Sequence, residues 1–280
     1  MVNISDIENF WTRGDIYSRV RQAMSAANLD NKNLDVEELF PIDQYHARGI
    51  AATIDLGKKM PISENQKILD IGCGLGGPAR YYAKEFKCHI TGIDITPSFI
   101  EIGNEFNRLT SMSSMIDLCL GNGEKLEFED EVFDGAYSQH VTMNVSNRIN
   151  FFSEAYRVLK KNSFFAFTEH GLGPKGDPIF PLPWADNSEM SFLLTPENTI
   201  SILKDVGFID IEIFETGDKY IQGYEKLIKG KTEERNPVLG IHVIGGPTMK
   251  ERSSNSMQSI KENRTLPFEI ICKKQLNLKN

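Results

Sequence analysis

The chain has 280 residues, 40% of them hydrophobic and 25% charged, with a formal net charge of -8 at pH 7. That balance suits a water-soluble globular protein long enough for a well-filled core, and one α/β domain with added segments is expected. It argues against a nucleic-acid surface, which would gather Lys and Arg against phosphates.

The N-terminal MVNISDIENFW has no basic stretch leading into an apolar one, and no run approaches the roughly 20 apolar residues that span a bilayer. A cytoplasmic protein without membrane insertion is therefore expected. Cys73, Cys88, Cys119 and Cys272 are scattered with no Cys-x-x-Cys pair, and they read as reduced core thiols. Ile7, Phe10, Trp11, Ile16, Val20 and Met24 recur at helical spacing, which predicts one or two amphipathic helices over residues 5–27, broken near Gly14. Residues 28–35 form a polar loop, and residues 43–59 read as an extended entry followed by a helix that stops before Pro61. Residues 1–60 thus form a helical cover ahead of the main domain, 61–280. Packing on that domain and closing a pocket are the two roles open to the cover.

Lys67 to Pro78, KILDIGCGLGGP, joins an apolar run to a glycine cluster where a helix should begin. Ile68, Leu69 and Ile71 read as a strand buried on both faces, while Gly72, Gly74, Gly76 and Gly77 let the backbone turn tightly and approach a ligand. The amide-rich start of a helix from about Pro78 to Phe86 would face that ligand. Gly-x-Gly-x-Gly-Gly departs from the dinucleotide fingerprint, so the glycines alone also suit a plain strand, turn and helix. His89 to Asp94, HITGID, adds a strand ending in an acid about 20 residues on, where a ribose hydroxyl pair would be held.

Strand and helix patterns then alternate over 97–109, 115–120, 133–138, 147–160, 163–170, 196–206 and 208–214, which predicts a parallel sheet with helices on both faces. A closing strand is expected at 266–273. Two segments interrupt the alternation: 171–194, rich in Gly and Pro, and 217–264, with helical patterns outside any βαβ unit. Insertions at these points fall at the carboxyl edge of such a sheet, where ligands bind, and are the expected substrate cover.

DIGCGLGG at 70–77 followed by GIDIT at 92–96 resembles the first two motifs of class I S-adenosylmethionine-dependent methyltransferases. Asp43 to Thr53 (DQYHARGIAAT), Gly121 to Gly123 (GNG), Phe133 to Asn144 (FDGAYSQHVTMN), Arg157 to Lys160 (RVLK) and Leu182 to Trp184 (LPW) resemble small-molecule methyltransferases of the sarcosine/dimethylglycine type. The resemblance implies a doubly wound, mostly parallel seven-stranded Rossmann-like sheet, with the last strand antiparallel at its edge. It also implies S-adenosyl-L-methionine as cofactor, S-adenosyl-L-homocysteine as product and a small-molecule methyl acceptor, an amine first. Phosphobase, quinone and sterol acceptors belong to related folds, and a cofactor-binding relative without catalysis is a further alternative. An oligomer is compatible with the sequence but does not follow from it.

Carried onto this chain, the resemblance gives the cofactor Asp70, Gly72, Gly74, Asp94 and Ile95. It lays Tyr45, His46, Arg48 and Gly49 against the methionine part, with Arg48 either paired to the cofactor carboxylate or a solvated surface charge. Asn122 and Gly123 stand where relatives have Asp-Ala, so Asn122 either accepts from the adenine amino group or simply forms a turn. Gln139, His140 and Asn144 follow the fourth strand, near the expected methyl group, with Gln139 on the cofactor. Phosphobase methyltransferases place a His where this chain has Asn144, which argues against the same acid-base pair. Glu169 and His170 end the fifth strand toward the same edge, where Trp184 either lines an amine or packs beneath the loop. Tyr45, His140 and His170 are the candidate proton acceptors or relays. His46, His140, His170 and His242 are not at metal-ligand spacing, so no metal is expected.

Overall fold

The structure, a computed structural model, describes residues 4–12, 14–30, 33–229 and 238–276. Two amphipathic helices open it, α1 (Ile4–Trp11) and α2 (Ile16–Ala26), separated at Gly14, whose φ of +68° suits a residue without Cβ. The Asp15 carboxylate caps α2 by accepting from the Ser18 amide at 2.9 Å. Short α3 (Phe40–Asp43) and α4 (Ile50–Gly57) follow. Ile16, Val20 and Met24 of α2 share one core cluster with Phe99, Ile102 and Phe106, so α2 packs into the main domain.

Strands β1 (Lys67–Ile71), β2 (His89–Asp94) and β3 (Ile116–Leu120) alternate with α5 (Gly77–Phe86) and α6 (Pro97–Leu109). Next come β4 (Phe133–Gln139), α7 (Arg148–Val158), β5 (Leu159–Leu172), α8 (Pro196–Val206) and β6 (Phe208–Glu215). Helices α9 (Gly217–Lys229), α10 (Ile241–Gly245) and α11 (Met249–Lys261) precede β7 (Thr265–Lys274). The sheet has seven strands in the order β3-β2-β1-β4-β5-β7-β6, with β7 antiparallel to both neighbours. It is the mostly parallel Rossmann-like sheet that the resemblance implies. Strand order reverses between β1 and β4, and the crevice beyond their carboxyl ends is where an open α/β sheet takes a ligand.

Two details differ from the sequence reading. β7 lies between β5 and β6, and β6 forms the edge. Phe268, Ile270 and Cys272 of β7 are fully buried and need a neighbour on each side, whereas β6 exposes Asp210, Glu212 and Glu215, charges that suit an unpaired edge. Helix α7 also stops earlier than expected, at Val158, because Leu159 is extended (φ -75°, ψ 139°) and already pairs with Phe133.

A buried ion pair fixes the segment before α4 against the glycine turn. Arg80 of α5 donates to Asp43 Oδ2 at 2.9 Å and to the carbonyl of Leu75 at 2.6 Å, and both charged residues are excluded from water. Truncating one partner of such a pair strands the other charge, at a cost of about 3–5 kcal/mol. A Cβ at Gly77 would stand 2.3 Å from the Asp43 carbonyl oxygen, so only glycine lets the two segments meet here.

Candidate active site

A cleft of about 1270 Å³, open mouth included, lies beyond the carboxyl ends of β1, β2 and β4. Its floor is the turn after β1, where Gly72 (φ +84°) and Gly74 (φ +53°) hold conformations that side chains rarely adopt. A Cβ on Gly72 would collide with Val141 Cγ2 at 2.1 Å, while one on Gly74 would meet nothing within 4 Å. Gly72 is thus set by packing, and Gly74 leaves an open cradle.

Asp94 ends β2 beside that cradle. Its Oδ2 accepts from the Gly74 amide and its Oδ1 from the Thr96 amide, each at 2.9 Å, so each oxygen keeps a lone pair for a further donor. Burial pushes the carboxyl up, against the pull of those amides. Asp70, at the end of β1, is pushed up to about 8, chiefly by burial, with the Tyr137 hydroxyl at 2.8 Å opposing and the Asp94 charge adding. Ile95, Asn122 and Gly123 line the same end. The Asn122 side-chain oxygen accepts from the Glu124 amide at 2.9 Å, a local turn that leaves one lone pair on that oxygen. Gly123 is required by Phe151, which a Cβ would approach to 2.6 Å.

The opposite end is built from Asp43, Tyr45, His46, Gln139, His140 and Asn144. Asp43 Oδ1 and Gln139 Nε2 are buried there without a hydrogen-bond partner, one acceptor and one donor. Both side-chain N–H groups of Asn144 are committed, to the carbonyls of Trp184 (2.9 Å) and Met190 (3.0 Å), which leaves its Oδ1 as the group without a tie. His140, at φ +58°, stacks on His46 with ring centroids 5.8 Å apart and interplanar angle 11°. Its ionisation is held well below the ordinary range by burial first, then by His170, His46 and Arg48. His46 is brought down to about 4, also chiefly by burial. Both imidazoles are neutral near pH 7. Trp11 and Tyr45 meet edge to face across this end, centroids 5.8 Å apart.

Four expected residues lie off the cleft wall. Arg48 is turned into an ion pair with Asp55, near Glu269 and over the Tyr220 ring, so its charge is already matched. Gly49 begins α4 at φ +52° and supports the turn. Glu169 is buried, where its carboxylate accepts from Arg148 at 2.6 Å, from Thr199 at 3.1 Å and from Thr142. These donors on α7, α8 and the turn after β4 draw it away from the cleft. His170 sits behind His140 against Trp184 (centroids 4.7 Å apart), and burial lowers its ionisation to about 3. Trp184 itself packs under the Pro-rich loop and donates to Ser191 at 3.0 Å. Sequence reasoning did not single out Phe192, Ile244 or Tyr220, residues brought in by tertiary contacts that no local motif announces, and it gave no role to Asp43, which opens the 43–53 motif.

The glycine turn after β1, an acid at the end of β2 and a crevice at the strand-order reversal define a nucleotide-cofactor cleft of the class I methyltransferase fold. Residues 69–167 match the family model described as a methyltransferase domain. Over those residues the chain is similar to a methyltransferase domain, a family whose cofactor is S-adenosylmethionine. Sterol 24-C-methyltransferase of Debaryomyces hansenii is 34% identical over 122 residues, 44% of this chain and 32% of that protein. Glycine/sarcosine/dimethylglycine N-methyltransferase of Actinopolyspora halophila is 31% identical over 182 residues, 65% of this chain and 32% of that protein. The chain thus spans about a third of the length of these two relatives. Phosphoethanolamine N-methyltransferase 2 of Haemonchus contortus, solved with phosphomonomethylethanolamine and S-adenosylhomocysteine, shares the fold at a TM-score of 0.76 and 18% identity, over 99% of this chain and 61% of that one.

Proposed function

We propose that the protein transfers a methyl group from S-adenosylmethionine to a small amine of the sarcosine/dimethylglycine kind. The observation that carries this reading is the hydrogen-bond polarity of the acceptor end. Asn144 has spent its donors, so it offers only Oδ1, and His140 beside it is a neutral imidazole. Two acceptors in one wall suit an incoming N–H, and the Trp11 and Tyr45 rings suit an amine's charge before it loses its proton.

The residues present fit the cofactor. The open cradle at Gly74 and the remaining lone pairs of Asp94 suit a ribose, and the unpartnered Asp43 Oδ1 and Gln139 Nε2 suit an ammonium and a carboxylate. When bound, the cofactor supplies a methyl group already activated on a sulfonium. The protein's part is then orientation and exclusion of water. Ile4, Ile7 and Trp11 of α1, with Phe192 and Ile244, give the cleft apolar lining, while His140 and Asn144 hold the amine lone pair toward the methyl side.

The deciding assay follows cofactor consumption with glycine, sarcosine, dimethylglycine, phosphoethanolamine, quinone and sterol acceptors, with products identified by mass. Turnover is expected with a small amine, and turnover confined to a quinone or sterol would overturn the reading.

Asp70 supplies a pH test. Its ionisation near 8 means the carboxyl is mostly protonated at pH 7. A cationic ligand favours the carboxylate, pulls that value down and expels a proton, so apparent affinity should rise with pH between about 6 and 8. Calorimetry in two buffers of different ionisation enthalpy should show close to one proton more released by the parent than by Asp70→Asn, a difference that removes the ligand's own titration. Equal release would place the cation away from Asp70.

A further inference from the structure

Glu169 is fully buried and follows Thr168 in β5, and these two neighbours hold the turn after β4 on either side of Val141. The Thr168 carbonyl accepts from the His140 amide at 3.0 Å, and the Glu169 carboxylate accepts from the Thr142 hydroxyl. The same carboxylate oxygen accepts from Arg148 at 2.6 Å, and the second terminal nitrogen of that guanidinium donates to the Phe192 carbonyl at 3.3 Å. The Phe192 amide in turn donates to the Met143 carbonyl at 2.8 Å. His140, Asn144 and Phe192, all in the cleft wall, are therefore carried by segments tied to one buried acid. The turn moves as one piece, because the Asn144 amide donates to the Val141 carbonyl at 2.9 Å and the Val145 amide to the Thr142 carbonyl at 3.0 Å. His140 also needs an anchor of this kind, since a residue other than glycine stays at φ +58° only where its surroundings over-determine the backbone.

We propose that Glu169 is a positioning residue whose bond to Thr142 sets where His140 and Asn144 stand at the acceptor end, without itself touching the acceptor. That this wall receives a methyl acceptor rests on the amine reading above, whereas the tie between Glu169 and the turn does not. The competing account is a buried acid that only holds the fold, and Thr199 of α8 separates the two. Its hydroxyl donates to the other oxygen of Glu169 at 3.1 Å and it is as fully buried as Thr142, yet among the described residues α8 contributes none to the cleft wall.

The test changes each threonine to valine in the full chain, which keeps the shape and removes the hydroxyl. A carbon packs against an oxygen at about 3.3–3.6 Å where a hydroxyl bonds at about 2.5–3.0 Å, so Thr142→Val pushes the turn off β5 by roughly 0.5–1 Å. A misplacement of about 1 Å can cost about 100-fold in rate. Single-turnover transfer by folded Thr142→Val is expected to fall roughly tenfold or more, with S-adenosylhomocysteine affinity within about threefold of the parent. Thr142→Ser should recover most of the loss, and Thr199→Val should transfer at the parent rate even where its melting temperature drops as far. A rate for Thr142→Val within about threefold of the parent, or an equal loss in Thr199→Val, would overturn the proposal. Hydrogen exchange at the His140 and Asn144 backbone amides, followed by NMR, needs no acceptor. It should be faster in Thr142→Val and parent-like in Thr142→Ser and Thr199→Val, and equal exchange in all three would also overturn the proposal. Failure to methylate any acceptor, with the exchange pattern as expected, would count against the proposed function alone. Glu169→Gln is a poorer first variant, because it leaves the buried Arg148 charge facing a neutral partner. Should Thr142→Val not fold, Thr142→Ala, which removes the hydroxyl without the added contact, takes its place against Thr142→Ser.

Discussion

Asp94→Ala is expected to weaken S-adenosylmethionine binding by roughly 30-fold to several hundred-fold, on the order of 2 to 4 kcal/mol for two lost bonds to a charged acceptor. The carboxylate already takes the Gly74 and Thr96 amides, so it ties the glycine turn to the end of β2 as well as offering its remaining lone pairs to a ligand. Alanine removes both functions. Asp94→Asn separates them, since its single side-chain oxygen can hold one amide but no longer serves both amides and a ribose. Calorimetry should therefore rank affinity as parent, then Asn, then Ala, with circular dichroism unchanged. Unaltered affinity in the alanine variant would place the ribose elsewhere in the cleft.

The part of this site that could be read in the sequence is the part made by continuous chain. Gly74 and Asp94 are 20 residues apart and come together because a strand, a turn, a helix and a second parallel strand occupy that interval. Such a unit closes on itself whatever surrounds it, so spacing alone was informative. Arg48, Glu169 and His170 behave differently. The direction of each side chain is decided by residues distant in sequence, namely Glu269 beside Arg48, Arg148 with Thr199 around Glu169, and Trp184 against His170. A buried charge goes where its partner is, and the partner is visible only once the sheet has assembled.

The same limit explains Tyr220, 80 residues from the imidazole it touches, and the seat of β7. LPFEIICK announces a strand by its apolar run, yet its place between β5 and β6 follows from burial on both faces. The helical cover shows a related mixture. The periodicity of Ile7, Phe10 and Trp11 is local, but Trp11 standing in the cleft wall beside Tyr45 depends on where α1 docks.

Replacing His140 should lower the transfer rate by roughly 10² or more while leaving cofactor affinity nearly unchanged, in line with the usual yield of acid-base assistance. Its position complicates the choice of substitute. At φ +58° an alanine is strained irrespective of chemistry, so a loss of thermal stability in His140→Ala is expected under any account and decides nothing. Asparagine tolerates that backbone and keeps a hydrogen-bonding side chain, but it cannot take up a proton. If His140 receives the amine's proton, folded His140→Asn protein should be slow in single-turnover experiments at saturating cofactor, which report transfer without product release, although it loses the same ring contacts. If His140 only packs against His46 and His170, the asparagine variant should lose stability through those ring contacts and transfer at the parent rate in the folded fraction. A single-turnover rate within about threefold of the parent, on well-folded His140→Asn protein, falls far short of the roughly 10² loss that acid-base assistance implies and would leave a site that works by positioning alone.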